Sequence, residues 1–353
     1  MIFDRAPASM LSRVLTFAFF CLAFTAQGRA APQTVASSPL TKESANRDFA
    51  ARPHRDFPNG VRELTNVIYS VVNGYRPLGA DIFLPPSSKA VHPIVVYIHG
   101  GGWTLDPLGD EGITGTATMV ALAARGYLVL RPAYRLSSEA KFPAQLVDVK
   151  QSIRWIKTYA SVYGGDLNRV FVWGSSAGGN LAALVGVTCG VAKFDATPIL
   201  PKFFGLSTPS IDPHMTSCVE AVVDWYGPID FPTMDSQAPP GPFGPHNDPG
   251  SAESAYVGCA LPQCPHDVVM AASPLTYIRG GEPPFLIMHG KADDGVAWRQ
   301  SQELYDSLRA HNAPAQLVLV DGARHMFDGV PDSLKKRQSQ LVFAFLDAQS
   351  GRR

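Results

Sequence analysis

The chain has 353 residues, of which 46% are hydrophobic and 17% are charged, which is the composition of a globular protein with a sizeable core. Its 30 lysines and arginines balance 30 aspartates and glutamates, so the formal net charge is zero. This balance leaves no excess of basic residues and argues against nucleic acid as a partner.

The N-terminus has the pattern of a cleaved targeting segment. Arg5 and Arg13 precede the apolar run VLTFAFFCLAFTA, which is too short to cross a bilayer as a helix. Small residues follow in TAQGRAAP, where cleavage after Ala26 or Ala30 fits. We therefore predict a secretory signal peptide over residues 1–30, with a membrane anchor as the alternative. The mature protein is then expected to be secreted or periplasmic, with no stable membrane insertion.

Residues 31–59 are polar and low in apolar periodicity, which predicts a loosely ordered leader before a folded domain over 60–350. Within that domain, predicted strands alternate with predicted helices. The strands are predicted at 66–72, 79–85, 93–100, 127–134, 169–174, 220–227, 284–290 and 315–322. The helices are predicted at 116–126, 142–164, 177–187, 296–311 and 333–349.

The order of these segments indicates the fold. The first two strands are joined through Asn73-Gly74, a hairpin-type turn, and are expected at an antiparallel edge. The run PIVVYIHG is continuously apolar, as in a strand buried on both faces. The alternation predicts an α/β fold with a mostly parallel central sheet and helices on both faces. The Pro- and Gly-rich stretch 228–268 interrupts it and is interpreted as a small irregular cap over the sheet's C-terminal edge.

Four cysteines remain once the signal peptide is removed, and an even number in an exported protein favours disulfides. Cys259 and Cys264 are close enough to close a small loop, which leaves Cys189 to pair with Cys218 by elimination. A zinc site is the alternative, but no histidine lies at ligand spacing from both pairs. We therefore predict two disulfides and no metal.

The stretch GSSAG at 174–178 matches the pattern G-x-S-x-G between a predicted strand and a predicted helix. That setting is required for an elbow that holds a nucleophilic serine at a sharp turn. Its glycines allow close approach of the backbone, and the helix N-terminus places a positive dipole near the serine oxygen. Ser176 is the candidate nucleophile, while Ser175 occupies the variable position. The alternative is a tight turn that only needs small side chains.

The stretch HGGGW at 99–103 ends another predicted central strand. Consecutive glycines leave backbone N–H groups free to point at a ligand, as stabilisation of a developing oxyanion requires. Gly100 and Gly101, together with the N–H of Ala177, are the predicted donors, and Gly102 is a possible third. A merely flexible glycine loop is the alternative.

A serine nucleophile needs a base, and the base needs an acid that orients it. His325 follows the last predicted strand, and Asp293 follows the strand before it, so both fall at the edge of the sheet where Ser176 is expected. The chain order Ser176, Asp293, His325 is the order in which one large hydrolase fold carries its catalytic residues. Asp294 is the nearest rival for the acid.

These stretches together resemble the α/β-hydrolase superfamily, and within it the HGGG-type esterases of the feruloyl-esterase-like or carboxylesterase-like subgroup. The matching stretches span about residues 65–347 and include YIHGGGW, YGGDLNRVFVWGSSAGGNLAAL, DWYGPIDF, FLIMHGKADDGV and GARHMF. The resemblance implies Ser176 as nucleophile, His325 as base and Asp293 as the orienting acid, in agreement with the reading of the residues.

The expected activity is hydrolysis of carboxylic esters of short acyl or aromatic acids through an acyl-enzyme, without a cofactor. The substrate would be a small-molecule or polysaccharide-linked ester, contacted by Trp103, Tyr134 and Tyr226. An amidase, peptidase or formamidase-type hydrolase on the same fold is the first alternative. A non-catalytic binding module is the second, although such modules typically lose the serine or the histidine.

Overall fold

A nine-stranded sheet forms the centre of the part of the chain that this computed structural model describes, residues 53–86, 90–106, 115–195, 210–237 and 241–351. The strands are β1 (His54–Asp56), β2 (Arg62–Ser70), β3 (Leu78–Leu84), β4 (His92–Ile98), β5 (Leu128–Pro132), β6 (Gly165–Ser175), β7 (Ala221–Trp225), β8 (Phe285–Gly290) and β9 (Ala315–Val320). Their spatial order is β1-β2-β3-β5-β4-β6-β7-β8-β9.

The sheet is antiparallel at one edge and parallel through its centre. β1, β2, β3 and β5 form antiparallel pairs, whereas β5, β4, β6, β7, β8 and β9 are parallel neighbours. Parallel neighbours need a long crossover, and the segments between these strands supply helices for it. The predicted α/β architecture with a mostly parallel sheet is confirmed.

Nine α-helices are described around the sheet. They are α1 (Thr116–Ala124), α2 (Ala144–Thr158), α3 (Ala160–Tyr163), α4 (Ala177–Val187), α5 (Met234–Gln237), α6 (Ala252–Val257), α7 (His266–Ala271), α8 (Trp298–Ala310) and α9 (Asp332–Gln349). Side chains of α1 and α9 pack in one apolar cluster, and those of α2, α4 and α8 pack in the other. Helices therefore cover both faces of the sheet.

The two apolar clusters follow from strand geometry. Successive side chains of a strand point to opposite faces of the sheet, so a strand buried on both faces must be apolar throughout. In β4, Ile94 and Val96 belong to the cluster with α2 and α4, while Val95 and Tyr97 belong to the cluster with α1 and α9. This explains why the run PIVVYIHG lacks the alternation of a half-exposed strand.

Three expectations about the elements need correction. The leader predicted for 31–59 is wrong at its end, because β1 pairs with β2 and the sheet begins at His54. The first predicted strand, 66–72, has the wrong ends, since β2 spans Arg62–Ser70, although β2 and β3 do form the predicted antiparallel pair with Asn73-Gly74 in the turn between them. The single helix predicted at 142–164 is divided into α2 and α3 at Tyr159. Local pattern fixes an element's type better than its ends.

The interruption predicted at 228–268 is a longer insertion, here called the cap, which fills residues 226–284 between β7 and β8. It contains α5, α6, α7 and three short 3₁₀ segments, at Phe231–Thr233, Leu261–Gln263 and Pro274–Tyr277. The predicted boundary at 268 is too early because α7 and the last 3₁₀ segment continue the irregular region.

Two disulfides are present, Cys189–Cys218 and Cys259–Cys264. The first joins the chain after α4 to the segment before β7, and the second closes a short loop in the cap. Because each sulfur is bonded to its partner, the alternative of a zinc site built from these four thiolates does not apply.

The predicted signal peptide, residues 1–30, and the leader as far as residue 52 lie outside the described residues. Among the helices that are described, none has the length and apolar character needed to cross a membrane.

Candidate active site

Ser176 occupies a sharp turn between β6 and α4. Its backbone has φ 54° and ψ −123°, a conformation that costs free energy in a residue with a side chain and that must be held by its surroundings. A Cβ added to Gly174 would lie 1.9 Å from the carbonyl oxygen of Gly178, and one added to Gly178 would lie 2.1 Å from that of Ile98. Both glycines of the motif are therefore required sterically for α4 to return against the sheet.

The glycine loop lies directly against this turn. A Cβ on Gly100 would lie 2.9 Å from the carbonyl oxygen of Ser175 and 3.3 Å from the Cβ of Ser176. Gly101 has φ 98° and Gly102 has φ 58°, a region that residues with side chains rarely adopt. The structure pairs neither the Gly101 N–H nor the Ala177 N–H with an acceptor on the described part of the chain. These donors remain available to a ligand oxygen next to Ser176.

The side chains of Ser176, His325 and Asp293 form a continuous hydrogen-bonded row. Nε2 of His325 lies 3.1 Å from Oγ of Ser176, and Nδ1 lies 2.8 Å from Oδ2 of Asp293. Since a carboxylate oxygen accepts, Nδ1 carries the hydrogen, and Nε2 of the neutral ring is free to take a proton from the serine. The structure thus brings together three residues that are far apart in sequence.

Asp293 is held by four N–H groups. Oδ1 accepts hydrogen bonds from the backbone of Gly295 and Val296, both at 2.8 Å. Oδ2 accepts from His325 at 2.8 Å and lies 3.2 Å from Nε2 of His289. Burial alone would raise the pKa of Asp293, but the hydrogen bonds from the two histidines hold that pKa well below its ordinary value. The carboxylate therefore stays charged, and Asp293 rather than Asp294 faces His325.

Ser175 faces away from His325. It is 4% exposed, and its Oγ lies 2.9 Å from the hydroxyl oxygen of Tyr97. The tyrosine and the serine project from neighbouring strands on the same face of the sheet. The two serines of the motif consequently have different surroundings, and of these two it is Ser176 that is hydrogen-bonded to an imidazole.

Two cavities open beside Ser176. The larger, of about 400 Å³, has an apolar wall and a polar floor, and its lining includes Tyr97, His99, Gly100, Leu105, Arg131, Ser175, Ser176, Tyr226, Phe243, His325 and Met326. The smaller, of about 230 Å³, is bounded by Trp103, Ala177, Pro228, His246, Glu253, Val296 and others. Ser176 and His325 line both cavities, so a molecule at Ser176 can extend in two directions.

The three aromatic residues predicted to contact substrate are placed differently. The Tyr226 ring lines the larger cavity and lies 4.9 Å from the His325 ring, centroid to centroid. Trp103 borders the smaller cavity, although it is stacked on Tyr256 and is only 1% exposed. Tyr134 is fully buried, stacks on His99 and donates its hydroxyl to the His99 carbonyl. The substrate contact predicted for Tyr134 is therefore wrong, because its ring supports the glycine loop from behind.

Sequence reasoning missed several residues at the site. Phe243 and Met326 are 64% and 46% exposed and line the larger cavity, but isolated exposed apolar residues have no local signature in sequence. His289 did carry a signal, since it is a polar residue in the otherwise apolar strand FLIMHG. A buried histidine must find hydrogen-bond partners, which makes it a candidate for a role at a site.

Known esterases are similar to this chain in sequence and in fold. The chain is 31% identical over 262 residues to the esterase LipC of Mycobacterium tuberculosis, and the match covers 72% of this chain and 58% of LipC. It is 28% identical to the esterase LipQ of the same organism, with 76% of this chain and 58% of LipQ covered. The chain therefore matches less than two thirds of the length of either relative.

A solved structure of an esterase has a similar fold. A truncated carbohydrate esterase from gut microbiota superposes with a TM-score of 0.67 at 27% identity, covering 84% of this chain and 99% of the other. The α/β-hydrolase fold predicted from the motifs is confirmed. The BD-FAE family model matches residues 80–308, which is more than half of the sequence. The chain belongs to the BD-FAE family, which agrees with the esterase subgroup that its motifs resemble.

Proposed function

We propose that this protein is a serine esterase that hydrolyses carboxylic esters through a Ser176–His325–Asp293 triad. The observation that carries the proposal is the row of hydrogen bonds from Oγ of Ser176 through His325 to the buried carboxylate of Asp293. A nucleophile, a base and an orienting acid in that geometry are the requirements for acyl transfer by a serine. The esterase names of LipC and LipQ support the same activity.

In the proposed first half-reaction, Oγ of Ser176 attacks the ester carbonyl while Nε2 of His325 accepts its proton. The resulting imidazolium is stabilised by Asp293, which also keeps the hydrogen of the neutral ring on Nδ1. His325 then gives the proton to the leaving alcohol, and an acyl-enzyme remains. In the second half-reaction, water attacks the acyl group with His325 again as base, and Ser176 is regenerated.

The oxyanion that forms in each half-reaction needs fixed donors. We propose the backbone N–H groups of Gly100, Gly101 and Ala177, with Gly102 next to them in the same loop. Support comes from the close approach of Gly100 to Ser176 and from the unpaired N–H groups of Gly101 and Ala177 among the described residues. Ala177 also begins the eleven-residue helix α4, whose dipole is favourable to negative charge at that end.

The two cavities beside Ser176 support a proposal for the substrate class. Cavities of about 400 Å³ and 230 Å³ beside Ser176 give separate room for the two parts of an ester, its acyl group and its alcohol. We propose esters of short acyl or aromatic acids, either as small molecules or linked to polysaccharide. The polysaccharide case is supported by the similarity to a carbohydrate esterase at 27% identity. No cofactor takes part in the proposed steps.

We further propose that the chain is exported, with residues 1–30 as its signal peptide. Two disulfides in the described residues support an oxidising compartment. Expression of the full chain, followed by mass spectrometry of the protein recovered outside the cytoplasm, tests this. A mature N-terminus close to residue 27 or 31 is expected, and an uncleaved chain retained in the cytoplasm would contradict it.

The esterase proposal is tested by a matched pair of serine variants. Ser176→Ala and Ser175→Ala are compared with the wild type on p-nitrophenyl esters from acetyl to palmitoyl, on methyl ferulate and on acyl p-nitroanilides. Loss of ester cleavage by about 10⁴-fold or more is expected for Ser176→Ala, because no other group replaces the nucleophile. Ser175→Ala is expected to retain most activity. Faster cleavage of anilides than of esters would favour an amidase instead.

A further inference from the structure

A second histidine contacts the carboxylate of Asp293. His289 is the penultimate residue of the buried strand β8 and has no exposed surface. None of the proposed catalytic steps uses it. Burying an imidazole without hydrogen-bond partners is costly, so its contacts indicate what the residue does.

The contacts of His289 show which ring nitrogen donates towards Asp293. Nε2 lies 2.8 Å from the carbonyl oxygen of Val296 and 3.2 Å from Oδ2 of Asp293, while Nδ1 lies 2.7 Å from Oγ of Ser301. A carbonyl oxygen only accepts, so Nε2 carries a hydrogen that it shares between two acceptors. Nδ1 pairs with the Ser301 hydroxyl, which can donate to it or accept from it.

The position of this shared hydrogen matters because Oδ2 of Asp293 also accepts from His325. The carboxylate oxygen that would stabilise the His325 imidazolium is thus engaged on a second side by His289. Oδ1 is fixed separately by the backbone of Gly295 and Val296. Oδ1 is therefore held by backbone N–H groups of the loop, whereas Oδ2 lies between two imidazole rings.

We propose that His289 is a positioning residue for the reaction. It fixes Oδ2 of Asp293 in the plane of the His325 ring, and by taking part of the oxygen's hydrogen-bonding capacity it limits how strongly His325 holds a proton. This inference rests on the proposed esterase function. A base that binds its proton too strongly gives it up too slowly to the leaving alcohol and is protonated over a wider acid range.

Other groups surround His289 and belong to the same electrostatic environment. Asp224 on β7 is fully buried and interacts electrostatically with His289. The Tyr226 ring meets the His289 ring edge to face, with centroids 6.3 Å apart. Asp293 is closer than either of them and is the one in hydrogen-bond contact, so a change at His289 is transmitted to the site chiefly through Asp293.

The test compares the variants His289→Leu and His289→Gln in the full chain. Leucine removes the donor, whereas the glutamine amide nitrogen can occupy the Nε2 position and donate to the same two oxygens. On the acid side of the pH profile, called the acid limb, kcat/KM for p-nitrophenyl acetate falls as His325 becomes protonated. In His289→Leu this acid limb is expected to shift to higher pH by about half a pH unit or more. His289→Gln is expected to restore the limb to its wild-type position.

The activity itself is a second readout of the same pair. Above the acid limb, kcat is expected to fall roughly tenfold in His289→Leu, because the carboxylate loses a fixed contact. Melting temperatures of both variants separate this effect from a loss of folded protein. An acid limb that stays at its wild-type pH in folded His289→Leu would overturn the inference.

Ser301→Ala keeps the inference testable if the leucine variant does not fold. Without the Ser301 hydroxyl, Nδ1 loses its hydrogen-bond partner, and the hydrogen bond from Nε2–H to Asp293 weakens. A smaller shift of the acid limb in the same direction is expected, and no shift would count against the inference. If Ser176→Ala retained full activity, the proposed function would fail first, whereas an inactive Ser176→Ala with unshifted histidine variants would refute only the role of His289.

Discussion

The serine turn with its glycine loop and the cap meet at the same cavities but are built differently. Residues 99–103 follow β4, residues 174–178 span the end of β6 and the start of α4, and Gly100, Gly174 and Gly178 lie so close to neighbouring backbone that a Cβ does not fit. The cap consists of short helical segments whose apolar side chains, among them Phe231, Tyr256 and Val269, join the core, and whose other side chains make polar contacts. The backbone of His246 and Asn247 donates to the carboxylate of Asp235, and Nδ1 of His246 lies 3.2 Å from Oε1 of Glu253. Close backbone contacts therefore position Ser176 and the glycine loop, whereas side-chain contacts position the cap beside them.

This difference explains which parts of the site the sequence predicts. Glycine at 174 and 178 is required wherever a helix returns this closely to a strand, so the turn has a recognisable pattern. His325 and Asp293 were predictable because the ends of parallel strands share one edge of the sheet. The exposure of Phe243 over the larger cavity depends instead on how the cap packs, which no local pattern encodes.

The largest expected effect separates two neighbouring acids in the loop after β8. Asp293→Asn should lower kcat for p-nitrophenyl acetate by about 10⁴-fold, because an amide cannot stabilise the imidazolium or fix the tautomer of His325. Asp294→Asn should retain activity within a few-fold, since Asp294 does not contact His325. Equal losses in the two variants, measured on folded protein, would contradict the assignment of the acid.

The two disulfides allow the sheet region and the cap to be compared in stability. Cys189–Cys218 closes a separation of 29 residues and Cys259–Cys264 one of 5. The entropy of the closed loop predicts losses of about 3.5 and about 2 kcal/mol when each pair is replaced by alanine. Denaturant unfolding measures both values. A larger loss from the cap pair would show that the cap, rather than the connection between α4 and β7, limits the free energy of unfolding.

Asp224, in the sheet region, is expected to make the free energy of unfolding depend on pH. Burial raises the pKa of Asp224 to about 6, with partial compensation from His289 and the N–H of Gly227. Because this folded pKa lies above the unfolded value, the folded state binds more protons. Stability is then greatest below about pH 4 for this group and falls as pH rises to about 6. Asp224→Asn should flatten that part of the profile by at most about 3 kcal/mol.

Thermal unfolding at several pH values measures this effect. The wild type is expected to lose stability relative to Asp224→Asn between about pH 4 and pH 6, with a constant difference above that range. Parallel profiles for the two proteins over the whole range would show that the buried carboxyl is not titrating there. Asp294→Asn is the control for removal of one acidic group that is less buried than Asp224.

The smallest effect is expected in the cap. Phe243 is 64% exposed, and its ring lies 5.7 Å from that of His325. Phe243→Ala should raise KM for aromatic esters by a few-fold, equivalent to about 1 kcal/mol of lost ring contact, with kcat nearly unchanged. Leu167→Ala, at the start of β6 and 41% exposed, is the control that should change neither constant. A fall in kcat alone would instead show that the Phe243 ring helps to hold His325 in position.

Covalent trapping identifies the nucleophile, which we propose to be Ser176. The wild type is treated with diethyl p-nitrophenyl phosphate, and the modified peptide is identified by mass spectrometry. One diethylphosphoryl group is expected on Ser176, formed as activity is lost and absent in the Ser176→Ala variant. A label on Ser175, or complete inactivation with Ser176 unmodified, would contradict it.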